Sequence, residues 1–225
     1  MGKECRDVWT VPEGYKLVGM DASGLELRML AHYMNDEGYT NEILTGDIHT
    51  ANQLASGLET RDQAKTFIYA FLYGAGDAKI GSIVGGTRQD GKRLKEKFLR
   101  NTPSLGKLRE RVSLAAGRGY VYGLDGRRVY VRSEHAALNT LLQSAGAIVM
   151  KKALCLLNEY AILWGIDYNF IGNIHDEIQT EVREEKAKVF GGLATSCVEA
   201  AGIHYKLNCP LAGEFKVGNS WADTH

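Results

Sequence analysis

The chain has no excess of either charge: 27 Lys plus Arg stand against 27 Asp plus Glu in 225 residues, for a formal net charge of zero. This is not the profile of a basic nucleic-acid-binding tail or an acidic solvating one. Cysteine is scarce, and Cys5, Cys155, Cys197 and Cys209 form no CxxC pair, which argues against a zinc knuckle and a disulfide framework. There are three prolines and no Pro-rich linker, repeat or low-complexity tract, so the expected architecture interleaves its pieces into one compact unit. Long apolar runs are also lacking. The longest, Tyr160 to Ile166, is far below the ~18 residues that span a bilayer. The opening MGKECRDVWT is charged from its third residue, unlike a signal peptide, and Arg6 stands where a myristoylation pattern after Gly2 wants Ser or Thr. The expectation is a soluble protein of a reducing compartment, with no membrane partner.

What is present fits a globular core. The chain is 44% apolar and 24% charged, ordinary values that exclude disorder, collagen and a simple coiled coil. The length suits one large domain or two interleaved small ones. Its zero charge conceals an asymmetry. From Arg88 to Arg132 there are 13 basic residues against four acidic, which is +9; the remaining 14 basic and 23 acidic give −9. Such a block is either a solvated helical face or a surface that contacts phosphates.

Along the chain, YKLVGMD (15–21) predicts a short buried strand. The turn Ala22-Ser23-Gly24 leads from it into LELRMLAHYM, whose Leu27, Leu30, Ala31 and Met34 have helical spacing. Asp47 is the N-cap of a helix through Ala55, ended by Ser56-Gly57. The strongest helix signal runs from Thr60 to Gly76, with a Thr60–Gln63 capping box and Gly74 and Gly76 as its stop. Ala64, Phe67 and Phe71 cluster on one of its sides, while Arg61, Lys65, Tyr69 and Tyr73 step four by four along another. Residues 92–117 are basic and helical in spacing, interrupted by Pro103. A hairpin is predicted around Asp125-Gly126. Ser133 is the expected cap of a long apolar helix through Leu157, which carries Asn139 and Gln143, and a second hairpin turns at His175-Asp176.

Asp21 ends a strand, and Asp176 with Glu177 sits at a hairpin tip. Carboxylates converging at one sheet edge can bridge two divalent ions, with Mg²⁺ the hard-cation choice, in the arrangement used for in-line phosphoryl transfer. Spacing alone leaves open the alternative that Asp21 caps a helix and Asp176 is a turn residue. A stripe of Arg, Lys and two Tyr over ~18 Å of helix suits a triphosphate and a stacked sugar or base better than a wet face, which would carry Glu–Lys pairs.

DASGLELR, RDQAKTFIYAFLYGAG and IHDE, in that order, resemble motifs A, B and C of family A (polymerase I family) DNA polymerases, the phage replicative type above all. GDIHT, LDGRR and ALNTLLQSAGA extend the resemblance over about residues 3 to 220. It implies an α+β fold: a palm of antiparallel sheet with flanking helices, and an inserted, mainly helical fingers subdomain. The expected division is palm over 1–44, fingers over 45–118 and palm again over 119–225. It also implies Asp21, Asp176 and the Ala22 carbonyl as ligands of two Mg²⁺ ions, with Glu177 assisting near the primer end. Glu26 matches a steric gate against a ribose 2′-hydroxyl, supported by Arg28. Arg61, Lys65 and His49 match triphosphate contacts, with Lys65 also a proton donor to pyrophosphate. Tyr69 matches the position tied to dideoxynucleotide acceptance, and Tyr73 and Gly74 the end of the helix beside the new base pair. Asn139 and Gln143 match minor-groove contacts, His175 a primer contact, and Arg127 and Arg128 backbone contacts.

The implied activity is template-directed addition of deoxynucleotides to a primer 3′-hydroxyl, with primer-template DNA and dNTP as partners. The implied location is the cytoplasm, that of the host if the chain is phage-encoded. The resemblance leaves the thumb, any exonuclease domain and the stretch before motif A uncovered. The expectation is therefore a fragment or, because the chain starts with Met1, one subunit of a split polymerase whose partner bears the thumb. Three rival readings compete. Gly86 to Lys92 nearly spells a P-loop, but Arg93 replaces its Ser or Thr. A single-subunit RNA polymerase conflicts with Glu26 and Glu177. A noncatalytic DNA-binding subunit would tolerate loss of the carboxylates that are present here.

Overall fold

The computed structural model describes residues 3–225, and the chain folds into two compact units. The first comprises residues up to Leu25 together with Gly146–His225; the second is Glu26–Ala145, inserted between them. The elements run α1 (Lys3–Arg6), β1 (Tyr15–Ala22), α2 (Leu25–Met34), α3 (Glu37–Leu44), α4 (Ile48–Ser56), α5 (Arg61–Leu72), α6 (Asp77–Ile83), α7 (Arg88–Asn101) and α8 (Pro103–Ala116). A hairpin, β2 (Tyr120–Tyr122) and β3 (Arg128–Tyr130), precedes the long α9 (Ala137–Leu163). The chain ends with β4 (Tyr168–Ile174), β5 (Glu177–Arg183), α10 (Ala187–His204), β6 (Gly213–Gly218) and α11 (Trp221–Thr224).

In the first unit, four antiparallel strands lie in the order β4-β5-β1-β6. Both expected strands of the His175-Asp176 hairpin form, because two apolar-rich runs flank a two-residue turn. Alternation along β1 and β5 buries Val18, Met20, Ile178 and Val182, and α10 packs on this sheet with Phe190, Ala194, Cys197 and Val198 buried. Burial pushes the Cys197 thiol up to about 11, so it behaves as a core residue. Neither α10 nor β6 was expected from the sequence pattern.

In the second unit, Phe67, Phe71 and Phe98 form an aromatic cluster, with ring centroids 5.1 to 5.8 Å apart, that joins α5 to α7. The Thr60–Gln63 capping box forms as read, and so does the Asp47 cap of α4. The two compact units divide after Leu25 and after Ala145. Tertiary bonds account for this: Ser104 Oγ donates to the Asp36 carboxylate at 2.5 Å and Arg111 to the Tyr33 carbonyl at 3.3 Å, tying residues around α2 and α3 to α8. The β2–β3 hairpin packs on α8 in turn.

Two local readings are corrected. Ser133 does not cap α9: its backbone is extended, its side chain makes no cap bond, and a short 3-10 turn, Glu134–Ala136, intervenes. The Glu134 carboxylate accepts a hydrogen bond from Ser113 of α8 instead. The helix also runs to Leu163, six residues beyond the expected Leu157, and together with its leading turn it is long and apolar enough by length and composition to cross a membrane. Half of its apolar window is buried within the protein, with Leu142, Ala145, Val149, Met150, Ala153, Leu157 and Ala161 in the core. It is thus packed as a core helix.

The near-P-loop has a packing explanation. Thr87 and Asp90 form the capping box of α7, and a Cβ on Gly91 would lie 2.0 Å from the Asp77 carbonyl and 2.5 Å from the Gly81 nitrogen. The glycine lets α7 approach α6 closely. Gly91→Ala is expected to destabilise the fold by about 2–3 kcal/mol, as forced overpacking does, read as a lowered urea midpoint.

Candidate active site

The first unit gathers acid at one end of its sheet. In the strand register Asp21 faces Glu177 on β5 and Glu214 on β6, so three carboxylates form a row on one face, and Asp176 occupies the turn beside them. The Ala22 amide donates to the Asp176 carbonyl at 2.9 Å, fixing that turn against the end of β1. His175 at the tip has φ +57°, a left-handed conformation that a non-glycine residue adopts at some cost, and it is exposed. Partial burial, followed by the charges of Asp176 and Glu177, pushes the Asp21 carboxyl up from 3.8 to about 6. This is a set of hard oxygen donors with an excess of negative charge, which suits a divalent cation. Among the described residues no three His, Cys, Asp or Glu side chains already converge as a ligand sphere.

Glu177 is held differently from its neighbours. It is buried, and its Oε1 accepts from the Trp221 indole N–H at 2.6 Å and from the Gln179 amide, while Nδ1 of His225 lies 2.7 Å from its Oε2. Thr224 Oγ1 donates to Gln179 at 2.9 Å, and a Ser220–Asp223 capping box shapes α11. Apart from Gln179, two residues away, these supports lie more than 40 residues from Glu177 in sequence, and sequence reasoning missed them.

The second unit places the four-by-four stripe of α5 as expected. Arg61 and Lys65 are exposed, Tyr69 is half-buried, and Tyr73 caps the helix. The Tyr69 ring lies 6.2 Å from His49 and 6.5 Å from Tyr73. Gly74 follows with φ +75°, where a Cβ would meet the His135 carbonyl at 2.6 Å. The Tyr73 hydroxyl donates to Glu26 Oε2 at 3.0 Å, joining the end of α5 to the first turn of α2, which also carries Arg28. Asn139 is half-buried and its Oδ1 lacks a hydrogen-bond partner among the described residues, Gln143 is exposed one turn on, and Arg127 and Arg128 are exposed on the hairpin.

Asp47 is a functional candidate that the sequence reading treated only as a cap. Its Oδ1 accepts from the His49 amide at 3.0 Å, and the same carboxylate takes Arg61 side-on, with Nε at 2.6 Å and Nη2 at 3.2 Å. It thus orders both the helix of His49 and the guanidinium of Arg61. The Arg61 guanidinium holds the Asp47 carboxyl well below the usual carboxylate range. A depressed folded pKa gives stability that is present above the ordinary value near 4 and fades as pH falls below it. Asp47→Asn keeps a capping side chain but not the charge, so its urea midpoint is expected to fall less steeply than wild type between about pH 4 and pH 2.

A cavity of about 1010 Å³ in this unit starts at the end of α5 and is lined by Phe71, Gly74, Lys95, Arg100, Arg109 and Glu134, among others. Lys95 is paired with Asp77 at 3.0 Å, and Arg109 lies over the Phe71 ring at 5.1 Å.

Comparison with known proteins gives this geometry a family. The chain is 49% identical over 92% of its length to the DNA-directed DNA polymerases of Enterobacteria phage T3 and Escherichia phage T7, and 28% identical to DNA polymerase I of Pseudomonas aeruginosa. It covers 33% of each phage enzyme and 27% of the bacterial one, so it spans about a third of the length of these relatives. The POL domain of Pol1 from M. smegmatis, solved in complex with DNA primer-template and dNTP, has the same fold, with a TM-score of 0.87 over 98% of this chain and 42% of that one, at 24% identity. The family model for DNA polymerase family A matches residues 1–223, and the chain belongs to that family.

Proposed function

We propose that the chain is the palm and fingers of a template-directed DNA polymerase that adds deoxynucleotides to a primer 3′-hydroxyl. The observation that carries this reading is the row Glu214–Asp21–Glu177 with Asp176 beside it, in a chain of this family. Asp21, Asp176 and the Ala22 carbonyl would hold magnesium, which when bound supplies Lewis-acid stabilisation of the phosphates and a lowered pKa for the primer hydroxyl. Glu177, anchored by Trp221, Gln179 and His225, sets the end of β5 on which the turn rests.

In the second unit, Arg61, Lys65 and His49 bind the triphosphate, and Asp47 orients Arg61. The primer 3′-hydroxyl releases its proton to water as its oxygen forms the new bond to the α-phosphorus, the bond from that phosphorus to the α–β bridging oxygen breaks, and Lys65 gives a proton to the departing pyrophosphate. Glu26, held by Tyr73 and supported by Arg28, occupies the space of a 2′-hydroxyl. Tyr69 packs along the sugar, and Tyr73 and Gly74 border the nascent pair. Asn139 and Gln143 contact the minor groove, His175 the primer end, and Arg127 and Arg128 the DNA backbone, which positions the duplex without reading its sequence.

A separate thumb-bearing polymerase subunit is a proposed partner, so the test is made with the chain alone and with its co-expressed neighbours. Primer extension with Mg²⁺ and dNTP is expected from wild type and not from Asp176→Ala. Primer-template binding without extension under either condition would instead identify a noncatalytic DNA-binding subunit.

A further inference from the structure

The β2–β3 hairpin carries an unusual face. Tyr120 and Tyr122 lie two apart on β2, and their partners across the ladder are Tyr130 and Arg128, so all four side chains share one side. The opposite side presents Val121 and Val129, and Val121 is buried as the hairpin packs on α8. On the open side Tyr122 is 52% exposed and Tyr130 77% exposed. The Arg128 guanidinium lies 4.9 Å from the Tyr120 ring centre and that of Arg118 5.8 Å from it, while the Tyr122 ring meets Tyr120 edge-on at 5.4 Å. The only acid between Arg118 and Arg132 is Asp125 at the turn, and Arg127 pairs with it through Nε at 2.6 Å.

A solvated sheet face would carry threonine, lysine and glutamate. Three tyrosines with two arginines and no aliphatic residue form instead a set of flat rings held among cations, the combination that stacks nucleobases while neutralising the strand that bears them. The face is ~7 Å along the strands and ~5 Å between them, room for one or two bases. It also lies within the +9 segment, so its charge complements a polyanion.

We propose that this hairpin face is a stacking platform for unpaired bases of single-stranded DNA, with Tyr122 and Tyr130 as the stacking rings. This goes beyond the backbone contacts assigned to Arg127 and Arg128, and it stands independently of the carboxylate site. The test measures anisotropy of a labelled oligothymidine with the chain in EDTA, where no synthesis occurs, so it is separate from the polymerase reading. Tyr122→Ala with Tyr130→Ala is expected to weaken binding about tenfold or more, whereas Tyr122→Phe with Tyr130→Phe keeps near-wild-type affinity because the rings remain. Blunt duplex DNA is expected to bind both double variants like wild type. Unchanged oligothymidine binding by the alanine variant, an equal loss in the phenylalanine variant, or an equal loss for duplex would each overturn the platform. Both substitutions are at exposed positions, and urea midpoints matching wild type confirm that the fold is kept.

Discussion

Replacing Asp21 with asparagine is expected to lower primer extension by about three orders of magnitude or more while leaving the fold as stable as wild type, or more stable. The activity loss follows from charge. Loss of one carboxylate that holds a divalent cation at a phosphoryl-transfer centre removes several kcal/mol of transition-state stabilisation, and about 4 kcal/mol is a thousandfold in rate. The stability effect has the opposite sign, since Asp21 faces Glu177 and Glu214 across the strands with Asp176 in the adjoining turn. Its carboxyl titrates at about 6 in the folded chain against 3.8 ordinarily, so at neutral pH its ionised form opposes folding. That cost appears as pH rises from about 4 through 6 and is absent below. Because burial of the residue is only partial, solvent screening reduces it to about 1 kcal/mol. Urea denaturation at pH 7 in EDTA checks this: an Asp21→Asn midpoint below that of wild type would make Asp21 a structural residue. Full extension activity in the variant would remove it from the catalytic set.

The same residues show how far the sequence could be read. The caps at Asp47 and Thr60, the two hairpins and the split faces of α5 were all legible because each depends on signals within a few residues: a capping side chain, a turn dipeptide, a helical period. The motifs led to the right family. What escaped depends on register and tertiary approach. Nothing local places Glu214 opposite Asp21, or brings Trp221 and His225 to Glu177 from 44 and 48 residues away. The Asp47 side chain was readable as a cap, but its grip on Arg61 exists only because α4 and α5 pack together. Gly91 is a further case: the near-P-loop is already set aside because Arg93 replaces its Ser or Thr, but what the glycine does instead, answering to the carbonyl of Asp77 on a neighbouring helix, is tertiary. The Ser133 misreading is of another kind, because a capping residue type was present but the chain took an extended step and a 3-10 turn before the helix began.

Glu26→Ala is expected to raise ribonucleotide incorporation relative to deoxynucleotide by one to two orders of magnitude, with smaller change in deoxynucleotide use. A side chain that fills the space of a hydroxyl discriminates by steric cost and by stranding that hydroxyl without a partner, together about 2–3 kcal/mol, or roughly 30- to 150-fold. The proposed gate requires that the carboxylate stay in place, and the Tyr73 hydroxyl donating to its Oε2 at 3.0 Å is one contact that holds it. Tyr73→Phe keeps the ring at the end of α5 but removes this contact to Glu26. Its expected effect is a partial loss of discrimination, several-fold and in the same direction as Glu26→Ala. The two changes act on one device, so the double variant should discriminate no worse than Glu26→Ala alone. Steady-state kcat/KM for matched ribo- and deoxynucleotide pairs on one primer-template measures all three. Additive losses in the double variant would separate Tyr73 from the gate, and an unchanged ratio in Glu26→Ala would remove Glu26 from sugar selection altogether.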